Sequence, residues 1–151
     1  MQISSRFTIA LHIFSVMDTY AGRRRITSEF LADSIGTNPV VVRRIVSQLR
    51  EAGLVLTTRG SAGVEPARRP EDITFLDVYR AIEPTEGGEL FRFHEAPNPE
   101  CEVGGHIHDL LDDTLHGIQD AMEAEMARHT IAELQADMRS ILAREAGEGT
   151  E

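Results

Sequence analysis

A mainly α-helical fold with one small β-hairpin is what this sequence predicts, and three observations carry the expectation. Apolar residues recur at steps of three and four through most of the chain, the spacing of amphipathic helices. One stretch, LVLTTRGSAGVEPA, departs from that period and reads as two short strands around a glycine-rich turn. A single long helical pattern then runs from about His106 to Arg128, longer than a small domain needs for itself.

The first helical pattern covers roughly Ser4 to Tyr20, where Phe7, Ala10, Leu11, Phe14 and Met17 make one stripe. Gly22 and Arg23-Arg24-Arg25 break it. Thr27 caps a second, short helix with Glu29 in its first turn, Phe30, Leu31 and Ile35 inward, and Gly36 placed to end it left-handed. Asn38-Pro39 opens a third helix, a cap residue followed by proline at the first helical position, and Gly53 closes it. Leu54 to Thr58 reads as a strand, Gly60 to Gly63 as a turn, and Val64 as the start of a return strand. Pro66 makes that strand an edge or cuts it short.

Thr74, with Asp77 three residues on, starts a fourth helix carrying Phe75, Val78, Tyr79 and Ile82. Residues 84–104 are rich in proline and glycine and read as loop. The long helix has Ile107, Leu110, Leu111, Leu115, Ile118, Met122 and Met126 as its apolar stripe. Thr130 and Glu133 form a capping box for a last helix with Leu134, Met138, Ile141 and Leu142 inward, expected to fold back on part of the long one. The expected organisation is a winged helix-turn-helix over 1–83, a loop over 84–105, a dimerisation helix and C-terminal helix over 106–144, and a disordered tail over 145–151.

Charge is divided between the halves of the 151 residues. Residues 1–70 hold ten Arg and five acids, a net of +5; residues 71–151 hold five Arg and twenty acids, a net of −15; the whole is −10. A basic half on an acidic one is the asymmetry of a chain that offers one face to phosphates and stays soluble with the rest. Every Lys-or-Arg position is Arg, the better fork for phosphate and guanine. No apolar run approaches the roughly 20 residues of a membrane span. The apolar start reads as an amphipathic helix rather than a signal peptide, and one cysteine fits a reducing cytoplasm.

On the third helix Val42, Ile45, Val46 and Leu49 define the buried side. At 100° per residue the opposite side carries Val40, Arg44, Ser47 and Glu51, with Arg43 and Gln48 on the flanks. A recognition helix meets base edges with its N-terminal residues, so Val40, Arg43, Arg44, Ser47 and Gln48 are the candidate base readers. Arg23, Arg24, Arg25, Thr27, Ser28, Asn38 and Arg50 are candidate backbone contacts. Arg59 and Gly60 sit at the wing turn. A solvated helix face explains Arg43 and Arg44 less well than this arrangement of helix pair, turn and hairpin.

The run ITSEFLADSIGTNPVVVRRIVSQLREAGLVLTTRG, followed by RRPEDITFLDVYRAIE, resembles the Rrf-type repressors, which include the IscR, NsrR, CymR and YwnA groups. The resemblance extends from MQISSRFTIALHIF to TIAEL. It implies a homodimer built on the long helix, a near-palindromic operator, and repression often linked to redox, metal or thiol signals. Iron–sulfur members of the family use three cysteines in the loop and at the start of the long helix. This chain has Cys101 alone, and one thiolate cannot hold a cluster that wants four ligands. It therefore resembles the cluster-free, YwnA-like branch, with no cofactor expected. The wing also departs from the family's paired glycines, having Gly63-Val64-Glu65-Pro66, and is expected to be short.

Cys101 lies between Glu100 and Glu102, ahead of the long helix. The helix end would lower its pKa and the acids would raise it. It is the candidate redox switch, by an intersubunit or mixed disulfide; the alternative is a loop cysteine packed as a small hydrophobe. His94, Cys101, His106 and His108 match no compact zinc spacing, so no metal is expected. His12, His116 and His129 read as lone helix residues, and Asp109, Asp112 and Asp113 as a solvated face. The dimer is expected to use Ile107, Leu110, Leu111, Leu115, Ile118 and Met122. No phosphate loop or nucleophile elbow points to an enzyme. The competing function is a winged-helix protein-interaction module that does not bind DNA.

Overall fold

A computed structural model describes residues 4–58, 63–83 and 89–148. Among them run α1 (Ser5–Thr19), α2 (Ser28–Ile35), α3 (Pro39–Glu51), β1 (Val55–Thr58), β2 (Gly63–Pro66), α4 (Phe75–Ile82), α5 (Ile107–Arg128) and α6 (Ile131–Glu148), with a 3-10 turn at Pro70–Asp72. The fold is mainly α with one antiparallel hairpin, in the order of a winged helix-turn-helix.

The helix ends follow from short-range chemistry. The Thr27 side chain accepts from Phe30 N–H, and Gly36 closes α2 at φ 75°. Asn38 Oδ1 accepts from Val40 N–H at 2.8 Å, with Pro39 next, where no amide hydrogen is needed. Thr74 and Asp77 form a reciprocal capping box at α4. Thr130 and Glu133 exchange the same two bonds at α6. The two capped starts lie side by side: Phe75 N–H donates to His129 O and Ile131 N–H to Ile73 O, each at 2.9 Å. Amides that a helix start leaves over are thereby satisfied by the other helix's lead-in.

α1 is the centre of the core. Beyond the expected stripe, Ile13 and Val16 are also buried, because α2, α3, α4, α6 and β2 all pack on it. Phe7 meets Phe75 and Tyr79 edge-on, with ring centroids 6.3 and 5.9 Å apart. The buried residues of α3 are the four expected, Val42, Ile45, Val46 and Leu49.

The C-terminal half departs from expectation in three ways. α6 packs on α1 and the 3-10 turn rather than folding back on α5. Gln135 Nε2 donates to Phe14 O, and Arg139 pairs with Asp18, so α6 runs parallel to α1. Second, its inward residues are Ile131 and Gln135, with Leu134 half-buried against the core, while Ile141 and Leu142 are 41% and 40% exposed. α1 ends at Thr19, so the last turns of α6 have nothing of α1 beside them. Third, the helix continues through Glu145 to Glu148, where a tail was expected from 145. Glu145 and Ala146 are good helix formers and propagate a helix already nucleated by packing.

The hairpin is held by a close backbone crossing. Its register pairs Val55 with Pro66 and Thr58 with Gly63, so the proline falls on the last pair, where the ladder ends. Val64 N–H donates to Ile26 O at 3.1 Å. Gly63 has φ +83°, and a Cβ there would stand 2.1 Å from Ile26 O. Gly63→Ala is therefore expected to cost about 2–3 kcal/mol from the left-handed backbone and the overlap together. Urea unfolding checks it; an unchanged midpoint would show that the crossing is not tight.

Candidate nucleic-acid interface

Four buried side chains lock one face of α3 into the core and so present the other to solvent. Val40 is 65% exposed and Val41 37%. Arg43 and Arg44 are exposed, and Ser47 and Gln48 are half-buried. Two exposed valines at a helix start cost solvation with no return in the free chain. They fit a surface that meets thymine methyl groups.

The polar residues are tied to one another in specific ways. Arg43 pairs with Glu29 on the first turn of α2. Its own backbone N–H and then Arg43 hold the Glu29 carboxyl below the usual carboxylate range. Arg44 makes no hydrogen bond or ion pair among the described residues, which leaves its fork free for an incoming acceptor. Arg50 donates to Ser47 Oγ and to Thr57 Oγ1, both at 3.4 Å, bracing the recognition helix against β1. Ser47 donates to Glu51 at 3.1 Å. Gln48 is engaged by Arg6 of α1, so its carbonyl oxygen is occupied on the protein side.

The candidate backbone contacts gather at the start of α2. Thr27, Ser28 and Arg25 line an open groove with Arg43, Arg50 and the hairpin. Arg24 stacks over the Phe30 ring at 3.8 Å, and Tyr20 meets that ring edge-on at 5.0 Å, so Arg24 is fixed in place by an aromatic pair. Arg23 and Arg25 are exposed. Asn38 spends its oxygen on the cap, leaving its NH₂ as a donor. Arg59 and Gly60 lie outside the described residues.

The sequence reading missed Glu29 as a partner of Arg43, Arg6 as the holder of Gln48, and Thr57 as the anchor of Arg50. These pairs span 14, 42 and 7 residues, and no local pattern announces them.

Cys101 is exposed. Its thiol is held below the ordinary range by the backbone N–H groups of Gly104 and then Val103. The cause is thus the turn's own amides, not the helix end, since α5 begins only at Ile107. The turn is tight: a Cβ on Gly104 would lie 2.3 Å from Asn98 O. His108 stacks on Phe93 and offers Nε2 to His94 O at 3.2 Å. Among the described residues no three His, Cys, Asp or Glu converge as metal ligands.

α5 has no buried residue in the single chain, and Leu110 and Ile118 are 69% and 51% exposed. Ile107 and Leu111 are half-buried. Leu115 is flanked by Phe91 and Phe93 of the chain's own loop, which the bond from Leu90 N–H to Gln119 straps to the helix. Met122 is half-buried and packs in part on the chain's own core, near where Arg80 and Glu123 join α4 to α5. Among the described residues no helix is long and apolar enough to cross a membrane.

A family model described as Rrf2, iron-dependent transcriptional regulator, matches residues 3–137. YwnA of Bacillus subtilis (strain 168), named as an HTH-type transcriptional regulator, is 42% identical over 132 residues, covering 87% of this chain and 96% of its own. A solved structure described as a DNA-binding protein is 36% identical with a TM-score of 0.69, over 86% of this chain and 98% of that one. CymR, the global cysteine regulator of B. subtilis, shares the fold with a TM-score of 0.65 at 23% identity, over 90% of this chain and 97% of its own.

Proposed function

This chain belongs to the Rrf2 family of transcriptional regulators, and from that premise we propose that it is a DNA-binding repressor that acts in the cytoplasm as a homodimer on a near-palindromic operator, with Cys101 as its switch. The observation that carries DNA recognition is α3: one face locked into the core, the other offering exposed valines and the exposed Arg44. The basic groove at the start of α2 supplies phosphate contacts beside it.

Exposure of Leu110 and Ile118 on a helix with no buried residue of its own supports the dimer. A two-fold pair would set its recognition helices about 34 Å apart, or a multiple of that. Where its operator overlaps a promoter, such a dimer would exclude polymerase, which is the repressor reading. The donor set does not fit the iron–sulfur cluster of some family members: one thiol is present, and among the described residues no three His, Cys, Asp or Glu come together around it. The signal is then an oxidant acting on Cys101 or a small molecule. An exposed thiol whose anion is favoured by two amides supports the former.

Fluorescence anisotropy tests this reading, using a duplex that the wild-type chain enriches from a random library. Affinity should fall steeply with salt, since each phosphate contact releases counterions. Diamide, which takes the two hydrogens as two thiols join, should release wild type and leave Cys101→Ser bound. If both ignore diamide, the cysteine is not the switch. If no sequence is enriched, the interaction-module reading replaces DNA binding.

A further inference from the structure

We propose that Glu29 is a positioning residue for Arg43 that sharpens sequence discrimination, by withholding the guanidinium from phosphate until a base edge replaces the carboxylate. The inference rests on the DNA-binding reading above. Glu29 stands on the first turn of α2 and Arg43 on α3, and their ion pair bridges the two helices. The side chains are 62% and 56% exposed, so the pair adds little to folding. What it sets is the direction of the Arg43 fork and the charge that the fork presents. Glu29 is the one acid among the described residues lining the groove that also holds Arg25 and Arg50. Its own backbone N–H and then Arg43 hold its carboxyl below the usual carboxylate range.

On DNA of arbitrary sequence, a phosphate approaching Arg43 meets a cation already neutralised and a carboxylate that repels it. A guanine edge offers two acceptors in the geometry of the fork and carries no charge for Glu29 to repel. The carboxylate therefore penalises the wrong sequence more than the right one, which is discrimination by a repulsive element.

The test compares wild type, Glu29→Gln, Arg43→Ala and the double variant. Each is titrated across a salt series onto the enriched duplex and onto a scrambled duplex of the same composition. Glu29→Gln is expected to tighten the scrambled duplex about three- to fivefold, the upper end for an exposed pair, and the enriched one by less. The salt slope on the scrambled duplex should steepen by about 1. In the Arg43→Ala background the glutamine should leave the ratio unmoved. An equal shift on both duplexes overturns the inference and leaves DNA binding standing. So does the same change of ratio without Arg43, which would make Glu29 a direct repeller of phosphate. If wild type enriches no sequence, the inference falls together with the reading beneath it.

Discussion

Arg43→Ala combined with Arg44→Ala is expected to lower affinity for the enriched duplex about a thousandfold, roughly 4 kcal/mol, with the fold intact. Each arginine that forks onto a guanine contributes about 1–3 kcal/mol of discrimination. Among the described residues Arg44 has no hydrogen bond or ion pair to give up, so its loss removes binding contacts and little else. Arg43 gives up Glu29 first, so its net share is the smaller of the two. Both side chains are exposed, which keeps the effect on stability small. Thermal melts and anisotropy on the same samples check both halves of the expectation. A loss below about threefold would show that α3 does not read DNA. A large loss shared equally by enriched and scrambled duplexes would make these residues phosphate contacts, because only base contacts carry sequence information.

Leu110→Asp with Ile118→Asp is expected to turn a dimer into a folded monomer and to weaken operator binding by at least about a hundredfold. The side chains are 69% and 51% exposed in the single chain, so aspartate meets water there and the protomer keeps its core. In a dimer the same carboxylates would be buried against apolar partners at a cost of several kcal/mol each. Two half-sites bound by linked subunits gain on the order of 10²–10⁴ over one, and the monomer forfeits that gain. Sedimentation velocity reports the assembly and anisotropy the binding. A variant that stays dimeric would move the interface elsewhere, with exposed Ile141 and Leu142 of α6 the next surface to test.

The expectation for Met122 shows where one-dimensional reasoning stops. It shares the apolar stripe of α5 with Leu110 and Ile118, and spacing assigns all of them to one surface. The structure divides them: Met122 packs in part on the chain's own core, Leu115 lies under the aromatic loop, and Leu110 and Ile118 remain exposed. A stripe shows that residues are apolar on one side of a helix, but not which neighbour covers them.

Helix caps, the turn at Gly36 and the buried stripe of α3 were legible in the chain alone, because each rests on contacts a few residues apart. Thr27, Asn38, Thr74 and Thr130 cap the helices they were expected to cap. Gly36 turns left-handed where a turn was needed, and the four-residue stripe of α3 sets which side of it faces out. These are local hydrogen-bond, steric and periodicity effects, and the chain encodes them within a turn or two. Only the folded chain shows that α6 leaves α5 for α1, that Arg6 holds Gln48, and that Glu29 holds Arg43 across two helices. Those outcomes depend on which surfaces meet after the chain folds back on itself, and residues far apart in sequence leave no periodic trace of having met.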